Sequence, residues 1–276
     1  MRGAAVGRTS SCAGGGNPLP ISVYPPPMLK TRFDRRPLLV LLPLALSACG
    51  GGDQYQGMDA DALFRLAQIE VEEGEHDNAI EALDRLLISF GDWDRTPDAR
   101  LMLADEYFAR GDFLTARSEY SRFLDRYPGH ASSPDAALGT CRALAELAPK
   151  PQRDQTYTQE AIITCSNVVI DYSGLPQASE AATVATELRL VMAEKEFQIA
   201  DHYFRRGAYF SAIKYFEFVA SLYPETEWAP RALLGIYRSN VELEYDDLAE
   251  EARQRLLERY PDSPAAVEIR TDGSSS

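Results

Sequence analysis

Few residues of this chain have the types and spacing that catalysis or metal binding requires. The three histidines, His76, His130 and His202, lie far apart, and no two of them have the i, i+4 spacing of a helical zinc site. Cys141 and Cys165 lack the Cys-x-x-Cys partners of such a site. No Gly-x-Ser-x-Gly elbow occurs, and no glycine-rich loop opens a helix where it could bind phosphate. The sequence therefore predicts no enzyme, no metal site and no cofactor.

The segment before Cys49 predicts a covalent modification instead. Residues 38–48 carry no charge, but they are only about half as many as the roughly 20 that a membrane-spanning helix needs. Four basic residues precede them: Lys30, Arg32, Arg35 and Arg36. This pattern is typical of a secretory signal, and its end, Leu46-Ser47-Ala48-Cys49, resembles the lipobox of bacterial lipoproteins. A buried apolar helix is the alternative, but Gly50-Gly51-Gly52 and a polar stretch follow at once, as in a tether.

The lipobox resemblance implies that Cys49 carries a covalent lipid that anchors the protein. Residues 28–48 would be the signal peptide, and residues 1–27 a non-native extension before a true start at Met28. Residues 49–58 are expected to form a flexible tether. Because Gly50 and not Asp follows the cysteine, the resemblance implies the outer membrane. The lipid would lie in the inner leaflet of a Gram-negative-type bacterium, and the protein would face the periplasm.

The charge of the chain restricts its partners. The full sequence has a formal net charge of −14. Residues 1–48 hold six Lys or Arg and one Asp, so the remainder has 22 basic and 41 acidic residues and a net charge of −19. Such a surface repels nucleic acid and anionic headgroups, so we expect neutral or basic protein partners and no nucleic acid.

The body of the chain repeats a short pattern. A glycine that could end one helix is followed five residues later by an alanine small enough for a close helix crossing. The glycines are Gly74, Gly111 and Gly207, and the alanines are Ala79, Ala116 and Ala212, with Ala249 at the same place in the last unit. Tyr-Pro pairs close the units at Pro128, Pro224 and Pro261, where proline ends a helix.

This pattern resembles the tetratricopeptide repeat, a stacked helix–turn–helix unit. We predict an all-α solenoid of about five units, with repeats 1–3 at residues 59–173 and repeats 4–5 at residues 174–264. A polar insertion, residues 148–157, interrupts the third unit, and the absence of glycine or further proline from Pro176 to Arg206 predicts one long helix in the fourth. Residues 265–276 are expected to be a disordered tail.

Two features of the predicted solenoid have alternative interpretations. Cys141 and Cys165 fall on the two helices of the third unit, where they could form a disulfide or remain two buried thiols. The first helices of the units would line the concave face. Phe64, Gln68, Leu101, Asp105 and Phe108 could form a groove there for an extended peptide, or the aromatic residues could only pack one repeat on the next.

The combination of lipobox, repeats, insertion and long helix resembles the BamD family of outer-membrane lipoproteins. The closest stretches are RDQTYTQEAI, residues 153–162, and the segment from Glu194 to Thr226 that contains ADHYFRRGAY. The resemblance implies an adaptor whose N-terminal repeats bind unfolded outer-membrane proteins. Its C-terminal repeats would dock on a BamA-type, POTRA-containing barrel insertase, beside other assembly lipoproteins. The alternative is another cell-envelope repeat lipoprotein, a secretin pilotin or a Tol–Pal-associated protein.

Overall fold

The computed structural model describes residues 55–272, which form eleven α-helices and no β-strand. The prediction of an all-α protein is confirmed. The helices are α1 Ala60–Glu73, α2 His76–Ser89, α3 Thr96–Ala109, α4 Phe113–Arg126, α5 Ser133–Glu146, α6 Thr156–Asp171, α7 Pro176–Arg205, α8 Tyr209–Leu222, α9 Trp228–Glu242, α10 Asp246–Arg259 and α11 Pro264–Asp272. Consecutive helices pack together, giving five helix pairs from α1/α2 to α9/α10 and a final helix against α9 and α10.

The turns between paired helices show why glycine recurs. Gly74, Gly111 and Gly207 have φ of 76°, 84° and 72°, a left-handed conformation that glycine adopts without a Cβ clash. In the fifth pair the same place is taken by Glu244, with φ of 59°. The alanines that follow these turns, Ala79, Ala116, Ala212 and Ala249, are all buried.

The helix starts are also encoded locally. The Asp59 carboxylate accepts a hydrogen bond from the backbone N–H of Ala62 (2.8 Å), and Asp112 accepts one from Thr115 (3.2 Å). Such caps satisfy backbone donors that a helix cannot pair internally. Proline occupies the first turn of α3, α5 and α7, where its missing N–H costs nothing.

Helix α7 joins the two halves of the array. It runs for 30 residues, as the sequence predicted, and packs against α5 and α6 at one end and α8 and α9 at the other. Ala181 and Ala185 belong to the core shared with α5 and α6, whereas Ala200 belongs to the core of α8–α11. One continuous helix therefore contributes to the cores of the third unit and of the C-terminal units.

Two glycines inside helices allow neighbouring units to approach closely. A Cβ at Gly139 in α5 would lie 2.5 Å from the ring of Tyr120 in α4. A Cβ at Gly235 in α9 would lie 2.6 Å from the ring of Phe216 in α8. The aromatic ring of one unit thus packs directly on the backbone of the next, at the tight spacing typical of protein interiors.

Two predicted boundaries were wrong. The flexible tether was expected to reach residue 58, but Tyr55 is only 5% exposed and packs into the core of the first repeat, with Met58 beside it. The tail was expected to be disordered from residue 265, but Pro264–Asp272 is helix α11. Ala265, Ala266 and Ile269 are buried against the core of α8–α10, so α11 covers the end of the solenoid.

Candidate functional site

The predicted peptide groove lies on α1 and α3, and one of its residues must be reassigned. Phe64 is 2% exposed. Its ring packs 5.2 Å from that of Trp93, and the guanidinium carbon of Arg95 lies 4.4 Å from the Phe64 ring centroid. The expectation that Phe64 faces a bound peptide is therefore wrong, because cross-repeat packing and a cation–π contact already cover the ring.

The other four predicted groove residues retain accessible surface. Gln68 on α1 and Leu101 and Phe108 on α3 are partly exposed, and Asp105 is exposed. Phe108 packs edge-on against Phe113, with ring centroids 5.2 Å apart. Leu101 and Phe108 border the core that contains Phe123, whereas Phe64 belongs to the core of the first repeat, so the predicted set is divided between two clusters.

Asp105 connects the predicted groove to the packing between repeats. The Tyr120 hydroxyl donates a hydrogen bond of 2.6 Å to its Oδ1. Desolvation by neighbouring protein atoms raises the pKa of Asp105 to about 6, although the Tyr120 hydrogen bond opposes the shift and one edge of the residue faces solvent. Desolvation, and then the Asp105 charge, also raise the pKa of Tyr120. A carboxyl group with this pKa can accept or donate a hydrogen bond near neutral pH.

A second polar contact joins the first two repeats. Nδ1 of His76 lies 2.7 Å from Oε2 of Glu106, whose side chain is buried. Nearby, burial raises the pKa of Asp84, with a smaller contribution from the charge of Glu119. His76 therefore takes part in repeat packing, as its place in the repeat turn indicated. These groups can bind polar atoms, but they include no nucleophile with an adjacent base.

The structure places Cys141 on α5 and Cys165 on α6 in contact. Their sulfur atoms are 2.07 Å apart and their Cα atoms 4.9 Å apart, and both residues are fully buried. This spacing lies in the range that a disulfide requires. The pair would join the two helices of the third unit across the insertion that separates them.

Residues 55–272 can also be assessed for metal ligands and for membrane-spanning helices. No group of three or more His, Cys, Asp or Glu in this range could hold a metal ion. No helix in the same range is long and apolar enough to cross a membrane. Cys49 and its lipobox lie outside the described residues.

A surface that the sequence analysis missed lies between α8 and α10. Phe210, Tyr245 and Leu248 are 61%, 44% and 50% exposed, and the rings of Phe210 and Tyr245 are 6.1 Å apart. They border a groove of about 340 Å³, here called the α8–α10 groove, with Ile213 and Ala252 among its lining residues. Aligning the repeats would have revealed it, because Leu248 falls where the other turns have Asn78, Thr115 and Ser211.

Comparison with known proteins identifies the family. Residues 56–256 match the model of the YfiO family, described as outer membrane lipoprotein. This match covers all five helix pairs except the last turn of α10. The chain belongs to this family. The resemblance read from the repeats and the long helix is thereby confirmed.

The sequences of relatives match this chain over most of its repeats. The chain is 26% identical over 220 residues to the outer membrane protein assembly factor BamD of Xylella fastidiosa (strain 9a5c), covering 75% of each chain. It is 25% identical over 246 residues to BamD of Neisseria gonorrhoeae, covering 82% of this chain and 91% of the relative. Among solved structures, it is similar to the TPR2AB domain of yeast Sti1 at 14% identity and a TM-score of 0.44, covering 78% and 86% of the two chains.

Proposed function

We propose that this protein is an adaptor in the assembly of outer-membrane proteins. The observation that carries the proposal is the family match across residues 56–256, together with relatives named as BamD assembly factors. These relatives indicate no catalytic activity, and the described surface offers binding and not chemistry. The adaptor would act by holding partners together, with no covalent step.

Within this role, the N-terminal repeats would bind unfolded outer-membrane proteins. Gln68, Leu101, Asp105 and Phe108 combine an amide, apolar surface and a carboxyl group on the first helices of two units. An extended chain presents backbone donors and alternating side chains that such a surface can bind. Phe64 would support this surface from below by fixing Trp93 and Arg95.

The C-terminal repeats, residues 174–264, would dock on the POTRA domains of a BamA-type insertase, beside other assembly lipoproteins. Lipidation of Cys49 would hold the adaptor at the inner leaflet of the outer membrane, facing the periplasm. Anchoring two binding surfaces next to the insertase raises their effective concentration without any new contact.

The first test is mild-detergent co-purification of the tagged, full-length protein from its own envelope, followed by mass spectrometry. We expect a near-stoichiometric POTRA-containing barrel protein, and we expect Cys49→Ser to move the adaptor to the soluble fraction. Recovery of a secretin, of Tol–Pal components or of no barrel protein would reject the assembly role.

The second test addresses the client surface. Binding of a fluorescent peptide with the sequence of a barrel protein's last strand should weaken about five- to tenfold for Leu101→Ala or Phe108→Ala. Ile88→Ala is the control, because Ile88 is 83% exposed on α2, outside the predicted groove. Equal affinities for all four proteins, wild type included, would reject the groove.

A further inference from the structure

The α8–α10 groove carries apolar surface that repeat packing does not require. The helix that follows each turn begins after Glu75, Asp112, Ala208 and Tyr245 in the first, second, fourth and fifth pairs. Only the fifth pair has an aromatic residue there, and three residues later only this pair has leucine, where the others have Asn78, Thr115 and Ser211. Packing within the solenoid does not explain why apolar residues occupy positions 245 and 248, because Tyr245 and Leu248 both remain about half exposed.

The floor of the groove contains a rigid ion pair, in which the charge of an arginine is neutralised by a glutamate. Nη1 and Nη2 of Arg255 on α10 donate to Oε1 and Oε2 of Glu217 on α8, at 2.6 and 3.0 Å. A bidentate pair of this kind fixes both side chains in one plane. Ile213, Ile236, Asn240 and Ala252 also line the groove. The cavity is therefore preformed between helices α8, α9 and α10, and its single arginine is already paired with a carboxylate.

The rim of the groove is acidic. Glu251 lines the groove, and Glu244, Asp246 and Asp247 line an adjoining cavity that shares Tyr245 and Leu248 with it. None of the four forms an ion pair within residues 55–272. Asp246 and Asp247 also stabilise the positive N-terminal end of α10, so helix stability alone would explain them. It does not explain Glu244, which replaces the turn glycine and holds a carboxylate at this edge in a left-handed conformation.

We propose that the α8–α10 groove binds a segment of a partner protein in which an apolar side chain is flanked by lysine or arginine. The apolar side chain would enter between Phe210, Tyr245 and Leu248, and the basic side chains would meet the unpaired rim carboxylates. The inference rests on the docking role proposed for residues 174–264, and it adds the surface and the chemistry of the partner segment.

Photo-crosslinking in the native envelope tests the proposal. Leu248 is replaced by p-benzoyl-phenylalanine in the tagged, full-length protein, and the crosslinked peptide is mapped by mass spectrometry. We expect one partner polypeptide, crosslinked at an apolar residue with lysine or arginine beside it. Crosslinks to a second copy of this chain, to lipid, to an acidic segment or to nothing would overturn the proposal.

A charge-reversal pair supplies the matched control. Asp247→Lys, in the crosslinking background, should lower the yield at least about tenfold, because it places like charges together in the contact. Glu258→Lys changes the same charge on an exposed position of the same helix, outside the lining of the groove and of the adjoining acidic cavity, and should leave the yield unchanged. Equal yields for the two variants would overturn the assignment, and circular dichroism checks that both are folded.

The outcomes separate this inference from the proposed function. If the wild-type protein co-purifies the barrel insertase but Leu248 crosslinks to no basic segment, the α8–α10 groove is not the docking site and the inference alone fails. If a basic segment of another protein is crosslinked and no insertase co-purifies, the groove assignment is supported and the assembly role fails.

Discussion

The contact between Gly235 and Phe216 gives the most direct test of how the repeats stack. In Gly235→Ala the new Cβ would lie 2.6 to 2.8 Å from three atoms of the Phe216 ring, which is only 2% exposed. Overpacking of this kind costs about 1–3 kcal/mol, and replacing a helical glycine by alanine returns about 1 kcal/mol. Because the ring is enclosed, we expect a net loss of about 1–2 kcal/mol and a drop in melting temperature of roughly 3–6 °C.

Circular dichroism during thermal and urea unfolding measures the effect. Gly129→Ala is the control, because a Cβ there meets nothing within 4 Å and its φ is not positive. The double variant Gly235→Ala/Phe216→Leu should be less destabilised than the sum of its single variants, since the smaller side chain removes the clash. A Gly235→Ala protein as stable as the wild type, or strict additivity in the double variant, would refute the reasoning.

Three further predictions concern a turn, a carboxyl group and the cysteine pair. Glu244→Gly should raise the free energy of unfolding by about 1 kcal/mol in urea titrations by relieving the left-handed backbone, whereas Glu244→Ala, which keeps that conformation, should not. Because the pKa of Asp105 is raised from 3.8 to about 6 in the folded protein, its contribution to stability is full below pH 3.8 and is lost as the pH rises through about 6. Thermal melts across this window should show that Asp105→Asn removes on the order of 1 kcal/mol of pH dependence, a value reduced for the exposure of the residue; an unchanged slope would contradict the assignment. Non-reducing peptide mapping should find Cys141 linked to Cys165, and Cys141→Ser/Cys165→Ser should lose about 3 kcal/mol, given a loop of 24 residues; two free thiols would contradict the bond.

The repeat architecture was predictable because its signals are local. Glycine at a left-handed turn, alanine at a crossing and proline after a helix each restrict the backbone within a few residues, and together they specified the helix pairs. The long helix α7 was predictable for the same reason, since no residue between Pro176 and Arg206 breaks a helix. Helix α11 was missed because it is short, and its stability comes from burying Ala266 and Ile269 on α9 and α10.

The site was less predictable because exposure is a tertiary property. Repeat alignment placed Phe64 and Leu101 at equivalent positions of the first helices, but the Trp93 ring and the Arg95 guanidinium reach Phe64 from the loop between α2 and α3 and cover it. The raised pKa of Asp105 likewise depends on packing around α3 that no sequence motif records. The α8–α10 groove has one signal in the repeat alignment, Leu248, whereas the contact between Phe210 and Tyr245 exists only because helices of different repeats are stacked.

By itself, the sequence determined that this chain is a helical solenoid, because turns and helix crossings are encoded by neighbouring residues. The tertiary structure decided which of the aromatic side chains are buried between repeats and which remain exposed to a partner. It also decided that Cys141 and Cys165 meet, and that Glu244 stands in a strained turn beside an apolar groove. These features depend on how one repeat packs on the next, and the free energy of that packing is shared among residues distant in sequence.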